Sequence, residues 1–407
     1  MKFMNTMFAQ LIQMLPEYEF KKLVHMYHGN RYTKYFTAKQ QLMTILYSQI
    51  KRKDSLRDIV TGLKMQSSKL YHLGLDHVCR STLSDANANR DWRIFEGLFY
   101  RLLARCKDLT PRHKFRFKNP LYTIDSTTID LCLSMFPWAK FRKRKGAIKL
   151  HYRFDHAGEL PDFLVVTEGR KHDITVAKDP SFPILPDSII SVDRAFIDYQ
   201  WLYSIDDRKA SFVTRAKSNI QYEVIGQQNL PKNKGILADE MIRLTGYYSA
   251  QHYPKELRLI HYDDRETGKV LVFLTNNFRL AASTIAQIYK ARWQIELFFK
   301  WIKQNLKIKS FLGTSKNAVL TQIWAAMIYY LLLAYIKYQT KWRYSLLELT
   351  RMIREMLFER IHLVDMLSLD FKRLDRLKYP DPQLTFCLLY TSPSPRDLST
   401  SRMPSSA

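Results

Sequence analysis

The chain has 407 residues, 46% of them hydrophobic and 13% aromatic, with only 12 Gly and 15 Pro. That excludes a collagen-like or wholly disordered polymer, and at roughly 150 residues per domain it leaves room for two or three domains with cores of their own. Against 38 Asp and Glu stand 64 Lys and Arg, a formal charge of +26 that fits a polyanionic partner, nucleic acid ahead of an anionic membrane surface.

The four cysteines, Cys79, Cys106, Cys132 and Cys387, lie far apart with no C-x-x-C pair. That argues against a disulfide framework or structural zinc site and fits a reducing cytoplasm. Met1 to Met7 shows no apolar run followed by a small-residue cleavage site, so no signal peptide is read there.

Residues 1–118 read as helices. Leu42, Ile45, Leu46 and Ile50 recur at helical spacing, and Trp92, Phe95, Phe99 and Leu102 form a second stripe after cap residues at Ser81 to Asp85. Residues 1–120 carry 22 Lys and Arg against 9 Asp and Glu, half of the net charge. The runs Lys51-Arg52-Lys53 and Arg112 to Lys118 suit phosphate contacts, so this stretch is read as a basic, all-α DNA-binding domain. A solvated basic face is the alternative, and no helix-turn-helix register singles out a recognition helix.

The pattern changes at Asn119-Pro120. Leu121–Ile129, Ile148–Phe154 and Phe163–Thr167 read as strands able to pair as a meander, followed by short strands at Ser188–Asp193 and Ser211–Arg215. Residues 217–269 look like a β-rich insertion, with alternation at Tyr222–Ile225 and Leu257–Ile260. A strand at Val270–Thr275 resumes the core, and helices continue to about Leu369, which makes 119–370 an α/β domain. Ala318 to Ile336 holds nineteen residues without a charge, close to the length of a membrane span. It is read as a buried core helix, because a span there would tear the domain apart.

Residues 371–386 form a C-terminal segment. The last stretch, 387–407, is rich in Ser and Pro without periodicity. Its CLLYTSPSPRD and SRMPSSA resemble the conceptual translation of a sequencing-library adapter, so this tail is expected to be non-native.

Asp125 in TIDST and Asp193 in SVDRAF sit on otherwise apolar strands, where a carboxylate is costly to bury unless it is paired or holds a metal. A helix from Ser283 to about Leu306 places Tyr289, Arg292, Glu296 and Lys303 within one arc of roughly 60°. An exposed face steadied by an Arg292–Glu296 pair would look the same. Taken with the two aspartates, Glu296 completes an oxygen donor set for two hard cations roughly 4 Å apart, the arrangement of two-metal phosphoryl transfer.

Tyr289-x2-Arg292-x3-Glu296-x6-Lys303 resembles the signature of bacterial insertion-sequence transposases of the cut-and-paste DDE class. YKARWQIELFFKWIKQNLKI, TIDSTTIDLC, SVDRAFIDYQWL, FVTRAKSN and FLTNN resemble family segments, and FAQLIQMLP to STLSDANANRDW resembles the helical domain of one branch. The resemblance spans about residues 8–386. It implies a ribonuclease-H-like core, a mixed sheet flanked by helices, interrupted by a β-rich insertion. It implies Asp125, Asp193 and Glu296 as the catalytic metal-binding triad, with two Mg²⁺ (or Mn²⁺) ions per site, and Tyr289, Arg292 and Lys303 as phosphate contacts.

The run from Lys140 to Lys149 matches the family in character, which makes Arg142, Lys143, Arg144, Lys145 and Lys149 a DNA-contact loop. His172-Asp173 also resembles a family segment, with a structural loop role as the alternative. The implied partners are double-stranded DNA, both terminal inverted repeats and target, and a second copy of the chain in a synaptic complex. The implied place is the bacterial cytoplasm, at the nucleoid, with no membrane. Family members that excise through a DNA hairpin stack a flipped base on a tryptophan of the insertion. Residues 217–268 contain none, leaving Tyr247 or Tyr248 for that role. A catalytically inactive DNA-binding relic, a structure-selective nuclease and a membrane protein are the competing readings.

Overall fold

The computed structural model describes residues 5–75, 77–142, 145–228 and 235–368. Lys143, Arg144, the 371–386 segment and the 387–407 tail lie outside the described residues. Helices α1 (Met7–Gln13), α2 (Glu17–Met26), α3 (Ala38–Ile50), α4 (Leu56–Lys64), α5 (Ser67–Leu70), α6 (Arg80–Asn89) and α7 (Arg93–Lys107) come first. Local chemistry sets where α3 begins. The Thr37 side chain accepts from the Gln40 N–H, and the Gln40 side chain accepts from the Thr37 N–H at 2.7 Å, a reciprocal cap.

Next come strands β1 (Leu121–Leu131), β2 (Lys140–Arg142), β3 (Lys145–Asp155) and β4 (Leu160–Glu168), then α8 (Asp173–Ala177), β5 (Ile189–Val192), α9 (Tyr199–Asp207) and β6 (Ser211–Arg215). The insertion supplies β7 (Tyr222–Gln227), β8 (Ile236–Leu244), α10 (Tyr247–His252) and β9 (Leu257–Asp264) before β10 (Lys269–Thr275). Helices α11 (Ala282–Ala291), α12 (Trp293–Asn305), α13 (Lys316–Gln339), α14 (Leu346–Glu355) and α15 (Leu363–Ser368) close the described chain.

The strands form one mixed sheet in the order β3-β1-β5-β6-β10-β9-β8-β7, with β2 and β4 on the outer edge of β3. The expected meander of β1, β3 and β4 is antiparallel, and β5 and β6 run parallel to β1. This is a ribonuclease-H-like core. The insertion is continuous with it: β9 pairs along the length of β10, so β7 to β9 extend the same sheet.

Alternation along the strands sorts the side chains into two layers. Ile190, Phe212 and Leu274 pack with Trp201, Leu202 and Ile205 of α9 on one face. Their neighbours Ile189, Val213 and Phe273 pack with Ile285 and Ile288 of α11 on the other.

A third cluster joins Met7 to Cys106 of the helical part to β3, β4 and α12 to α14, so the N-terminal helices share a core with the sheet. At its centre is α13, which has the length and apolarity of a membrane span and is buried within the protein. Trp324 packs on Phe99 at 5.2 Å, and Tyr330 on Phe298 at 5.1 Å.

One sequence expectation is corrected. The helix expected to run unbroken from Ser283 to Leu306 is two helices meeting at Arg292, where the Arg292 and Ile295 N–H groups reach back only three residues. In the Lys51-Arg52-Lys53 run, two half-buried cations are engaged by other parts of the chain. Lys51 Nζ donates to the Arg354 carbonyl, and Arg52 Nη2 donates to the Gln304 carbonyl at 3.0 Å and Asn305 Oδ1 at 2.9 Å. They tie α3 to the C-terminal helices.

Candidate active site

Asp125 lies on β1, the central strand between β3 and β5. Its own strand partner Ile124 faces α9, so Asp125 points to the α11–α12 side. β1 and β5 pair in parallel with Ile124 opposite Val192, so Asp125 and Asp193 are the next residues on two neighbouring strands. Adjacent strands are about 4.8 Å apart, which puts the two carboxylates side by side. Asp193 ends β5 and caps the following turn, accepting from the Arg194 N–H at 2.6 Å.

Glu296 enters from α12. Between it and Asp125 stands Arg292, whose Nη1 lies 3.0 Å from Asp125 Oδ2 and 3.7 Å from Glu296 Oε1. The helix break at Arg292 turns the guanidinium toward β1. Burial pushes the Asp125 carboxyl up to about 7; the Ser126 N–H and Arg292 pull it down, while Glu296 and Asp193 push it further up. Asp125 therefore lies within the fields of both other carboxylates.

Tyr289 and Lys303 belong to the same group. The Arg292 guanidinium carbon is 5.7 Å from the Tyr289 ring centroid, and burial raises the phenol, with Asp193 adding to the effect. Burial and Lys309 lower the Lys303 ammonium, against the attraction of Asp130 and Glu296. The Arg292 Nε is buried without a partner.

The remaining expected residues lie elsewhere. Tyr247 and Tyr248 are exposed on α10, their rings edge to face at 5.1 Å. Arg142 and Lys145 are exposed where β2 meets β3. Lys149 is mostly covered, its Nζ 3.2 Å from the Lys171 carbonyl and 3.3 Å from Asp173 Oδ1.

Asp173, matched from the sequence to a family segment with a structural loop role as the alternative, begins α8. Its Oδ1 accepts from Ser126 Oγ at 2.6 Å and lies 3.3 Å from His151 Nδ1. Burial alone would raise its carboxyl, but His151, Ser126 and Lys149 hold it at about 2. The network buttresses β1 from the face opposite Asp125. The signal for it was the polar His172-Asp173 pair after a run of cations.

The family model for the transposase DDE domain matches residues 116–332, just over half the chain. The chain belongs to the DDE transposase family. Residues 4–76 match a second family model, a domain of unknown function, DUF4372. A putative transposase, y4zB, of Sinorhizobium fredii is 36% identical over 282 residues, 68% of this chain and 77% of that one. A probable transposase for insertion sequence element IS5377 of Geobacillus stearothermophilus is 30% identical over 269 residues, 66% and 70% of the two chains. Among solved structures, a piggyBac transposase synaptic complex with hairpin DNA aligns over 95% of this chain and 83% of that one, at 11% identity and a TM-score of 0.40. This DDE transposase is thus an enzyme of a bacterial insertion sequence, of a class that cleaves DNA and transfers strands.

Oxygen-only donors suit a hard divalent cation. The carboxylates Asp125, Asp193 and Glu296 are of the type that holds the divalent ions DDE enzymes use, and burial keeps the Asp125 carboxyl up at about 7 against the pull of Arg292. Among the described residues no three His, Cys, Asp or Glu side chains close on a single point. Arg292 stands between Asp125 and Glu296.

Proposed function

We propose that Asp125, Asp193 and Glu296 are the catalytic carboxylates of a transposase acting at the terminal inverted repeats of its own element. The observation that carries this reading is the grouping of Asp125 and Asp193, neighbours across a parallel strand pair, with Glu296 through the shared Arg292. The three would hold two Mg²⁺ or Mn²⁺ ions, whose chemistry when bound would be to activate a water or 3′-hydroxyl and to stabilise the leaving oxygen of an in-line attack on phosphorus.

The chain's own residues supply the rest. Arg292 keeps Asp125 and Glu296 on the same side of the sheet and presents further guanidinium N–H groups to a non-bridging phosphate oxygen. Lys303, on the face of α12 shared with Glu296, offers a second cation for the flanking phosphate, and Tyr289 a phenolic hydroxyl. Fixed cations of this kind hold the phosphodiester in line, where phosphoryl transfer gains most of its rate. The buttress of Asp173, Ser126, His151 and Lys149 holds β1 from behind.

Residues 1–118 would supply most of the grip on repeat DNA, with Arg142, Lys145 and their loop as a further contact. Two copies would assemble on paired ends in the cytoplasm, at the nucleoid. An inactive relic is the second reading. The presence of all three carboxylates together with Tyr289, Arg292 and Lys303 argues against it.

The test is cleavage of a duplex carrying the element's terminal repeat, with Mg²⁺, by wild type and Glu296→Ala. Nicking at the repeat boundary that vanishes in the variant supports the proposal. Repeat binding without nicking by either protein would favour the relic.

A further inference from the structure

The loop between α2 and α3 lies within the domain of unknown function and carries the two most exposed aromatic side chains among the described large hydrophobics. Tyr32 is 90% exposed and Tyr35 84%. Between and beside them stand Arg31 and Lys34, both exposed, and among the described residues neither forms an ion pair. The loop is a ridge between two surface hollows of about 530 and 990 Å³, which share His28 and Arg31 in their walls.

The ridge is held rigid from beneath. Arg90 donates to the Gly29 carbonyl at 2.6 Å, the Phe36 carbonyl at 2.7 Å and Gln41 Oε1 at 2.8 Å. Asn30 Oδ1 accepts from the Ala38 N–H at 2.8 Å. His28 and Tyr32 are both left-handed, at φ 50° and 58°, a conformation that persists in such residues only where the surroundings over-determine it. Arg31 Nη2 donates to the Tyr32 hydroxyl at 3.0 Å, with its guanidinium carbon 4.9 Å from the ring centroid. So much fixing of an exposed tip, with no described residue packed over it, fits a contact surface.

We infer that residues 28–35 form a duplex-DNA contact of this domain, Arg31 and Lys34 on phosphates and Tyr32 and Tyr35 in a groove. The inference rests on the reading of the chain as a transposase that binds its own ends. Charge decides between occupants. A second copy of a chain at +26 would bring like charge to Arg31 and Lys34, whereas phosphates complement them. Of the carboxylates in the walls of the two hollows, Glu17 is matched by Lys21 and Lys39 and Asp91 by Arg93, which leaves Asp85 as the one acid there without an ion pair among the described residues, against the two cations Arg31 and Lys34. Lys51 and Arg52, the earlier candidates for phosphate contacts, are half-buried and already donate to carbonyls of this chain.

The experiment uses the full chain and fluorescence anisotropy on two duplexes, one with the element's terminal repeat and one unrelated, between 50 and 200 mM salt. Wild type, R31Q/K34Q and Y32A/Y35A are compared after thermal melts establish equal folding. Each lost phosphate contact flattens the slope of log K against log salt by about 0.9. R31Q/K34Q should therefore lose about 12-fold less affinity than wild type over that range, on both duplexes. Y32A/Y35A should bind the repeat at least tenfold more weakly with an unchanged slope.

Wild-type affinity and slope in both variants would overturn the assignment while leaving the transposase reading intact. A wild type that binds neither duplex would instead refute that reading, and this surface with it. Dimerisation lost in Y32A/Y35A with DNA binding unchanged would assign the ridge to a contact between copies.

Discussion

Arg258→Met would test the claim that the insertion is built into the catalytic sheet. Arg258 on β9 meets Asp239 on β8 through two bonds, Nε to Oδ1 at 2.8 Å and Nη2 to Oδ2 at 2.7 Å, and both side chains are only 3% exposed. Its Nη1 donates to the carbonyls of Asn277 at 3.0 Å and Leu280 at 2.6 Å, in the turn that launches α11. Methionine keeps the aliphatic stem but leaves a buried carboxylate and two carbonyls without donors. Breaking a buried pair from one side costs about 3–5 kcal/mol. That is a large share of a total stability of about 5–15 kcal/mol.

Urea denaturation followed by tryptophan fluorescence measures the loss. A cycle with Asp239→Leu isolates the pair, because the double variant buries no lone charge and should recover at least about 2 kcal/mol of the summed single losses. A loss under about 1 kcal/mol, or strict additivity, would show that this pair is not buried and that β8 and β9 do not sit as described.

His156 predicts an acid limit to stability. Burial holds its imidazole down at about 4, neutral between Thr123 Oγ1 at 2.7 Å and Gln294 Oε1 at 2.9 Å. The unfolded chain takes up that proton near pH 6.5, so between pH 6.5 and 4 unfolding binds protons and stability falls as pH falls. The group's contribution is about 3 kcal/mol, complete above pH 6.5 and gone below 4, and His156→Gln should flatten that part of the stability curve. An unchanged curve would mean that His156 is solvated. Trp324→Ala would open a cavity beside Phe99 and Tyr100, costing about 3–5 kcal/mol in the same urea assay. A loss under 1 kcal/mol would argue against α13 as the central core helix.

Much of the core was legible because its signals are local. The β-branched run around Asp125 and the short apolar strand before Asp193 announce themselves, and the uncharged stretch of α13 fits a helix covered on all sides. β8 was missed because Asp239, Glu240 and Arg243 interrupt its apolar alternation, and Asp239 is compensated by Arg258 on another strand. The break at Arg292 has no glycine or proline to mark it. It arises where α11, packed on β5 and β6, gives way to α12 over β1. Lys51 and Arg52 looked like surface charge because their acceptors are carbonyls some 250 to 300 residues away.

The most direct test of the central claim replaces each carboxylate with a thiolate. Asp125→Cys, Asp193→Cys and Glu296→Cys would be assayed for single-turnover cleavage of repeat DNA in Mg²⁺ and in Mn²⁺. Thiolates bind the softer ion better. If the three side chains hold the metal ions, each variant should be silent in Mg²⁺, and at least the two aspartate variants should regain cleavage in Mn²⁺. Cleavage in Mg²⁺ that survives the loss of any one of the three, or that persists in a chelator, would contradict the assignment.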